Sequence, residues 1–232
     1  PPSWTHWLGT DYMGRDILSQ LLVGARVAFL VGIVSAFISV ALGVTVGMVS
    51  GYAGGVTDSV LMRLADIIMV MPTLLVILML SSLFGTLSIW TVVLMIALFR
   101  WPGVSRVIRA QTLSLKNRPF IDAARVAGGG HAHIIFRHLV PNLMPLSLLY
   151  MMFGVAGAIA LESVLSFLGL LDIEMSWGVM LNVAQRQGYL LSGTRYWWLL
   201  FPAGLAVTFL AFAFFLVGRG MDEVINPRLR SR

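Results

Sequence analysis

Cysteine is absent from the chain, so it can build neither a disulfide nor a thiolate metal site, and cysteine usage says nothing about the redox compartment. Charge is nearly as scarce. Charged residues make up 11% of the 232 positions against 58% hydrophobic ones, and the 10 acidic residues are too scattered to pair as a general acid and base. A Ser-His-Asp type constellation finds no candidates. There is no G-x-x-x-x-G-K-[ST] phosphate loop, which excludes nucleotide hydrolysis by that route. Gly128, Gly129 and Gly130 follow no strand and read as a turn, not a dinucleotide fingerprint. His131, His133 and His138 stand among cations without a carboxylate cluster, so they are read as structural or contact residues and no metal site is expected. Enzyme chemistry has nothing to stand on here.

What is present is apolar sequence in long runs. Mean hydropathy is far above what a water-soluble domain tolerates, which makes this an all-α integral membrane protein seated in a lipid bilayer. The formal net charge of +6 then reads as basic loops facing the cytoplasm, and nucleic acid is discounted as a partner. A hydrocarbon core of about 30 Å takes about 20 helical residues, and five stretches suit it: Val27–Ser50, Leu64–Phe84, Leu87 onward past Phe99, Leu143–Leu171 and Trp197–Val217. Pro72, Pro102 and Pro202 are expected to bend the second, third and fifth. On the first, Ser35, Ser39, Gly43, Gly47 and Gly51 recur every four residues, a small-residue face against which another helix can pack closely.

The polar stretches divide the chain. Residues 1–26 read as an external segment and interfacial helix, with Trp4 and Trp7 at the membrane surface and Thr10 or Asp11 capping a helix from near Gly14. Residues 27–218 form the transmembrane domain, 171–196 a polar external loop inside it, and 219–232 a basic cytoplasmic tail. A short loop is expected over 52–63. From Arg100 to His138, Arg100, Arg106, Arg109, Lys116, Arg118, Arg125 and Arg137 oppose Asp122 alone, which puts loop 114–142 in the cytoplasm. Within that loop Asn117 is expected to cap a helix from Pro119 to Ala127, the glycines to stop it, and a second piece, Ala132 to Leu139, to run into Pro141. Three ionisable residues interrupt apolar runs. Asp66 is read as a helix-start charge or a local pair with Arg63; Arg100 as an interfacial or a path-lining residue; Glu162 as a local cap or a group met by a cationic solute in transit.

Asp122-Ala123-Ala124, three further residues, Gly128, and then His138-Leu139-Val140-Pro141-Asn142 resemble the EAA loop of the permease subunits of bacterial and archaeal ABC importers, with Asp122 in place of the usual Glu. The string LGTD-x-x-GRD at Leu8–Asp16 narrows the resemblance to C-type permeases of the dipeptide, oligopeptide and nickel family. GYAGG-x-x-D from Gly51, E-x-x-L-S-F-L-G from Glu162, S-W-G-x-M-L from Ser176 and Asn226-Pro227-Arg228-Leu229 near the end follow in the family's order. The resemblance covers nearly the whole chain.

It implies a type I importer-like bundle in the prokaryotic inner membrane, paired with a homologous permease. Two cytoplasmic ATPases would carry the ATP and magnesium, and an external binding protein would deliver peptides; nickel or another small solute is the alternative cargo. Phe120, Asp122, Ala123, Ala124, Arg125, Gly128, His138 and Pro141 would form the ATPase-coupling segment. Glu162 and Arg100 would be path candidates, and Asp172, Glu174 and Trp177 contacts for the binding protein. Five spans with a cytoplasmic C-terminus put Pro1 outside, and the family's sixth helix is expected to precede it. A secondary carrier would instead show inverted repeats or ionisable groups at mid-membrane, and a scaffold would use the cytoplasmic loop only for docking.

Overall fold

Continuous apolar runs of about 20 residues are long enough to cross lipid as helices, which satisfy their own backbone, and the computed structural model, which describes residues 1–225, is built of them. In chain order they are α1 (Ile17–Ala53), α2 (Gly55–Val70), α3 (Thr73–Phe84), α4 (Ile89–Leu115), α5 (Pro119–Val126), α6 (His131–Ile134), α7 (Val140–Phe167), α8 (Trp177–Arg186) and α9 (Trp197–Ile225). Among the described residues four helical stretches are long and apolar enough to cross a membrane, and α2 with α3, bent by 72° at Met71-Pro72, makes a fifth. Pro72 thus breaks its span as expected. Pro102 and Pro202 lie inside α4 and α9. The tail motif Asn226–Leu229 lies outside the described residues.

The fold divides into two compact units: 1–35, 74–95 and 155–215 in one, 36–73, 96–154 and the chain from 216 in the other. Each long helix gives part of its length to each. In the first unit the start of α1 departs from expectation. Its cap is Asp16, whose carboxylate accepts the backbone N–H and the hydroxyl of Ser19, both at 2.8 Å. Asp11 instead closes the loop before it, accepting the backbone N–H groups of Met13 and Arg15 at 2.8 and 2.9 Å and the Arg15 guanidinium at 2.8 Å. Burial pushes the Asp11 carboxyl up, but these donors outweigh it and hold it below its ordinary value. From Asp16 onward there is no separate interfacial helix, because nothing between Ile17 and Ala53 breaks the ladder.

The polar stretch 171–196 is also more ordered than a loop. Ser176 caps α8, its hydroxyl accepting the Val179 N–H at 3.3 Å, and Tyr189–Tyr196 forms a 3₁₀ segment. Trp177 is buried, donates its indole N–H to the Leu21 carbonyl at 2.9 Å, and fills the space beside Gly24, whose added Cβ would lie 2.7 Å from the ring.

In the second unit the small-residue face of α1 does what its spacing predicts. A Cβ on Gly43 would lie 2.6 Å from Val104, one on Gly47 would collide with the Ser105 carbonyl, and one on Gly51 would lie 2.9 Å from the Arg109 carbonyl. Glycine therefore sets how closely α1 and α4 approach. The loop expected over 52–63 shrinks to Gly54, because Gly54 and Gly55, at φ 68° and 55°, turn the chain in place and α2 begins at once. On α9 the apolar stretch is left largely uncovered, with Phe201, Phe209, Phe212 and Phe215 exposed, as a lipid-facing or partner-facing helix would be.

Candidate functional site

The segment between α4 and α7 is held at few points and offers much surface. On α5 Ile121 alone is fully buried, in a cluster with Val40, Val104, Ile108, Leu115, Ile134, Leu139 and Leu143. Phe120, Asp122, Ala123, Arg125 and Val126 are exposed, and Ala124 is half-buried. Asp122 and Arg125 pair with each other at 3.1 Å, a solvated contact that adds little stability. The helix ends as glycine allows. At φ 86° Gly128 adopts the left-handed conformation, donating to the Arg125 carbonyl at 3.0 Å, while Gly129 donates to that of Ala124 at 2.9 Å. Asn117 does not cap α5: its amide donates back to the Leu113 carbonyl at 3.2 Å, and Arg118 takes the cap position without a side-chain bond.

The following piece also differs from expectation. Starting at His131, it passes through a wide π turn at Ile135–Leu139 and continues into α7 without stopping at Pro141. Pro141 lies in the first turn after that widening, where its absent N–H and ring are tolerated. The His138 ring sits 6.0 Å from Phe120 and 5.4 Å from His133, and His131 shares a 2.8 Å hydrogen bond with the Tyr52 hydroxyl. Aromatic contacts thus tie the exposed segment back to its base.

That base is a charged network the sequence does not announce. Arg109 on α4 donates to both carboxylate oxygens of Asp58 on α2, each at 2.5 Å, and the Ser50 hydroxyl of α1 donates to the same carboxylate. Lys116 donates to the Gly51 carbonyl at 2.7 Å. Asp66 pairs not with Arg63 but with Arg106 of α4, forty positions away. The only local hint was an acid in the first turn of a helix opened by two glycines.

Arg100, the third arginine of this part of α4, has no carboxylate partner among the described residues. It lines a cavity of about 270 Å³ together with Ser39, Gly103, Tyr150 and Phe153. Glu162, by contrast, is fully buried in the other unit, accepting from Ser166 at 2.7 Å and Ser163 at 3.4 Å. Close by, Gly178 of α8 lies so near α7 that an added Cβ would be 2.5 Å from the Ser166 Cβ. Asp172 and Glu174 are exposed, whereas Trp177, expected with them at the surface, is spent on anchoring α8 to α1.

A bent pair of spans, long helices packed through glycine, and a short exposed helix between two of them make up the arrangement around the candidate site. The same fold is found in a chain of the MetNI methionine ABC transporter in inward-facing conformations, with a TM-score of 0.70 at 13% identity over 90% of this chain and 98% of that one. The family model for the binding-protein-dependent transport system inner membrane component matches residues 43–231, and the chain belongs to that family. It is 40% identical over 228 residues to the oligopeptide transport system permease protein OppC of Haemophilus influenzae, spanning 97% of this chain and 71% of that protein. With the dipeptide transport system permease protein DppC of Bacillus subtilis it shares 37% identity over 233 residues, 99% of this chain and 71% of the other. The protein is thus a C-type permease subunit of the dipeptide, oligopeptide and nickel family, a multi-pass protein of the bacterial inner membrane.

Proposed function

We propose that the chain forms, with a homologous permease, the membrane path of an importer for di- and oligopeptides, which an external binding protein delivers and two cytoplasmic ATPases drive. The peptide cargo follows from likeness to the oligopeptide and dipeptide permeases. Residues 114–142 face the cytoplasm, 171–196 face outward, and 27–218 make up the membrane domain. The observation that carries the coupling is α5 itself, a helix attached by the single buried side chain Ile121 and otherwise displayed. Phe120, Asp122, Ala123, Ala124 and Arg125 would meet the ATPase, small side chains allowing close approach of its backbone. Gly128, His138 and Pro141 hold that surface at a fixed angle to α7, so closure of the ATPases on ATP moves α5 as a lever on the spans.

Arg100 belongs to the path in this reading, and exposed Asp172 and Glu174 to the contact with the binding protein. For Glu162 the enclosing serines support the local alternative, a fastening within its own unit. The test is Gly128→Val in the complete transporter reconstituted in vesicles. Valine is strained at φ 86°, yet an added Cβ there meets nothing within 4 Å, so the variant should insert and assemble while ATP-dependent peptide uptake disappears. Normal uptake would remove the coupling role, and uptake without ATP would make the protein a secondary carrier. Nickel accumulation in place of peptide would reassign the cargo.

A further inference from the structure

Arg100, Arg106 and Arg109 lie on one helix, and among the described residues only two of them are neutralised: Arg106 by Asp66 and Arg109 by Asp58. Arg100 lies in the apolar part of α4, eleven residues after its start at Ile89. A guanidinium within a membrane is costly unless it pairs or faces water, and such groups cluster along solute pathways. Around the cavity that Arg100 lines, the other polar side chains are the hydroxyls of Ser39 and Tyr150, and among the described residues none of the three makes a hydrogen bond to protein. Ser39 is 3% exposed as a residue and no side-chain polar atom among the described residues is buried without a partner, so what its hydroxyl leaves accessible opens on the cavity. One fixed cation and two hydroxyl donors without a carboxylate describe a receptor for an anion. At about 270 Å³ the cavity is large enough for a peptide terminus and too small for a long peptide.

We infer that this cavity receives the C-terminal carboxylate of the peptide in transit, Arg100 binding it through paired N–H groups with Ser39 and Tyr150 as further donors. The inference rests on the peptide reading proposed above and deepens it. A carboxylate is the one anionic group every unmodified peptide carries, so a single arginine serves cargo of any sequence while Phe153 and Gly103 supply apolar and backbone walls.

The complete reconstituted transporter, with one and the same binding protein throughout, is tested with trialanine and with trialanine amide. The quantity read is the ratio of their uptake rates in the parent protein and in Arg100→Gln and Arg100→Lys, so that any preference of the binding protein cancels. Loss of one charge-assisted contact should lower trialanine uptake about tenfold or more in Arg100→Gln and leave the amide within about twofold, with Arg100→Lys recovering much of the difference. Equal slowing of both peptides, or of neither, would overturn the assignment by showing a structural role or none. A parent transporter that moves neither peptide, in vesicles that still hydrolyse ATP, would overturn the cargo reading and the carboxylate with it. Uptake of acid unchanged in Arg100→Gln but inhibited by anionic lipid in the parent alone would assign the cavity to a phosphate headgroup instead and overturn the peptide site.

Discussion

Two short helices lie outside the long spans, and they are built in opposite ways. α8 buries Trp177, Gly178, Met180 and Ala184, is capped by the Ser176 hydroxyl, and lies against α7 where only glycine fits. α5 buries Ile121 alone, has no side-chain cap, and leaves most of its residues exposed. Both carry family motifs and both are amphipathic in sequence. The difference shows that a motif of this kind marks either a fastening or a surface, and that the number of buried anchors tells which. A helix held at one point can be pushed by a partner; one wedged in by backbone contact moves only with its neighbours.

The strongest way to break the contrast is to enlarge the tightest contact of α8. In Gly178→Leu the new side chain would meet the Ser163 carbonyl and the Ser166 Cβ, and overpacking against backbone should cost about 3 kcal/mol, read as a lower unfolding midpoint and poor recovery in detergent. If Gly178→Leu unfolds normally, α8 is not wedged and the contrast fails. Next comes Ile121→Ala, which removes the single anchor of α5 and should cost about 2–3 kcal/mol, seen as faster amide exchange over α5 while the spans stay protected. Val126→Ala, on a side chain 90% exposed, should change stability by less than about 0.5 kcal/mol. A Val126→Ala effect as large as that of Ile121→Ala would mean α5 is packed on both faces.

The smallest effect concerns acid and the entry to α1. The Asp11 carboxyl is held below its ordinary value of 3.8, so its contribution is fully present above that value and is lost as pH falls through the still lower value of the folded state. Asp16 shifts in the same direction, mainly through the Ser19 N–H. Exchange at the Met13 and Arg15 amides should therefore be flat, after correction for intrinsic rates, from neutral pH to about 4 and show lost protection below it. In Asp11→Asn that acid-dependent step at Met13 and Arg15 should shrink. Loosening already between pH 7 and 5 would point to another group.

Much was legible before any coordinates. The spans, the break at Pro72, the four-residue spacing that brings α1 against α4, and the end of α5 at Gly128 all follow from composition and local geometry. Errors gathered where a distant partner decides. Asp11 and Asp16 are equally good caps on paper, and the backbone path from Gly9 to Ile17 chose between them. Trp177 reads as a surface contact for the binding protein until the Leu21 carbonyl claims its N–H. The paired glycines and Asp58 of 52–63 and the mixed charge of 171–196 read as loops, although helices docked on one side carry the same residues.

The sequence by itself determined that this is a membrane protein of helical spans, and its ordered motifs determined the family, because continuous apolar runs of about 20 residues suit helices and lack the alternation of barrel strands, and the motifs are local strings. Only the tertiary structure decided which charges are satisfied. Asp58 and Arg109 are 51 positions apart, and Arg100, Ser39 and Tyr150 come from three helices, so neither the clamp nor the open cavity exists until those helices pack. Pairing energy depends on distance through space, which periodicity along the chain does not encode.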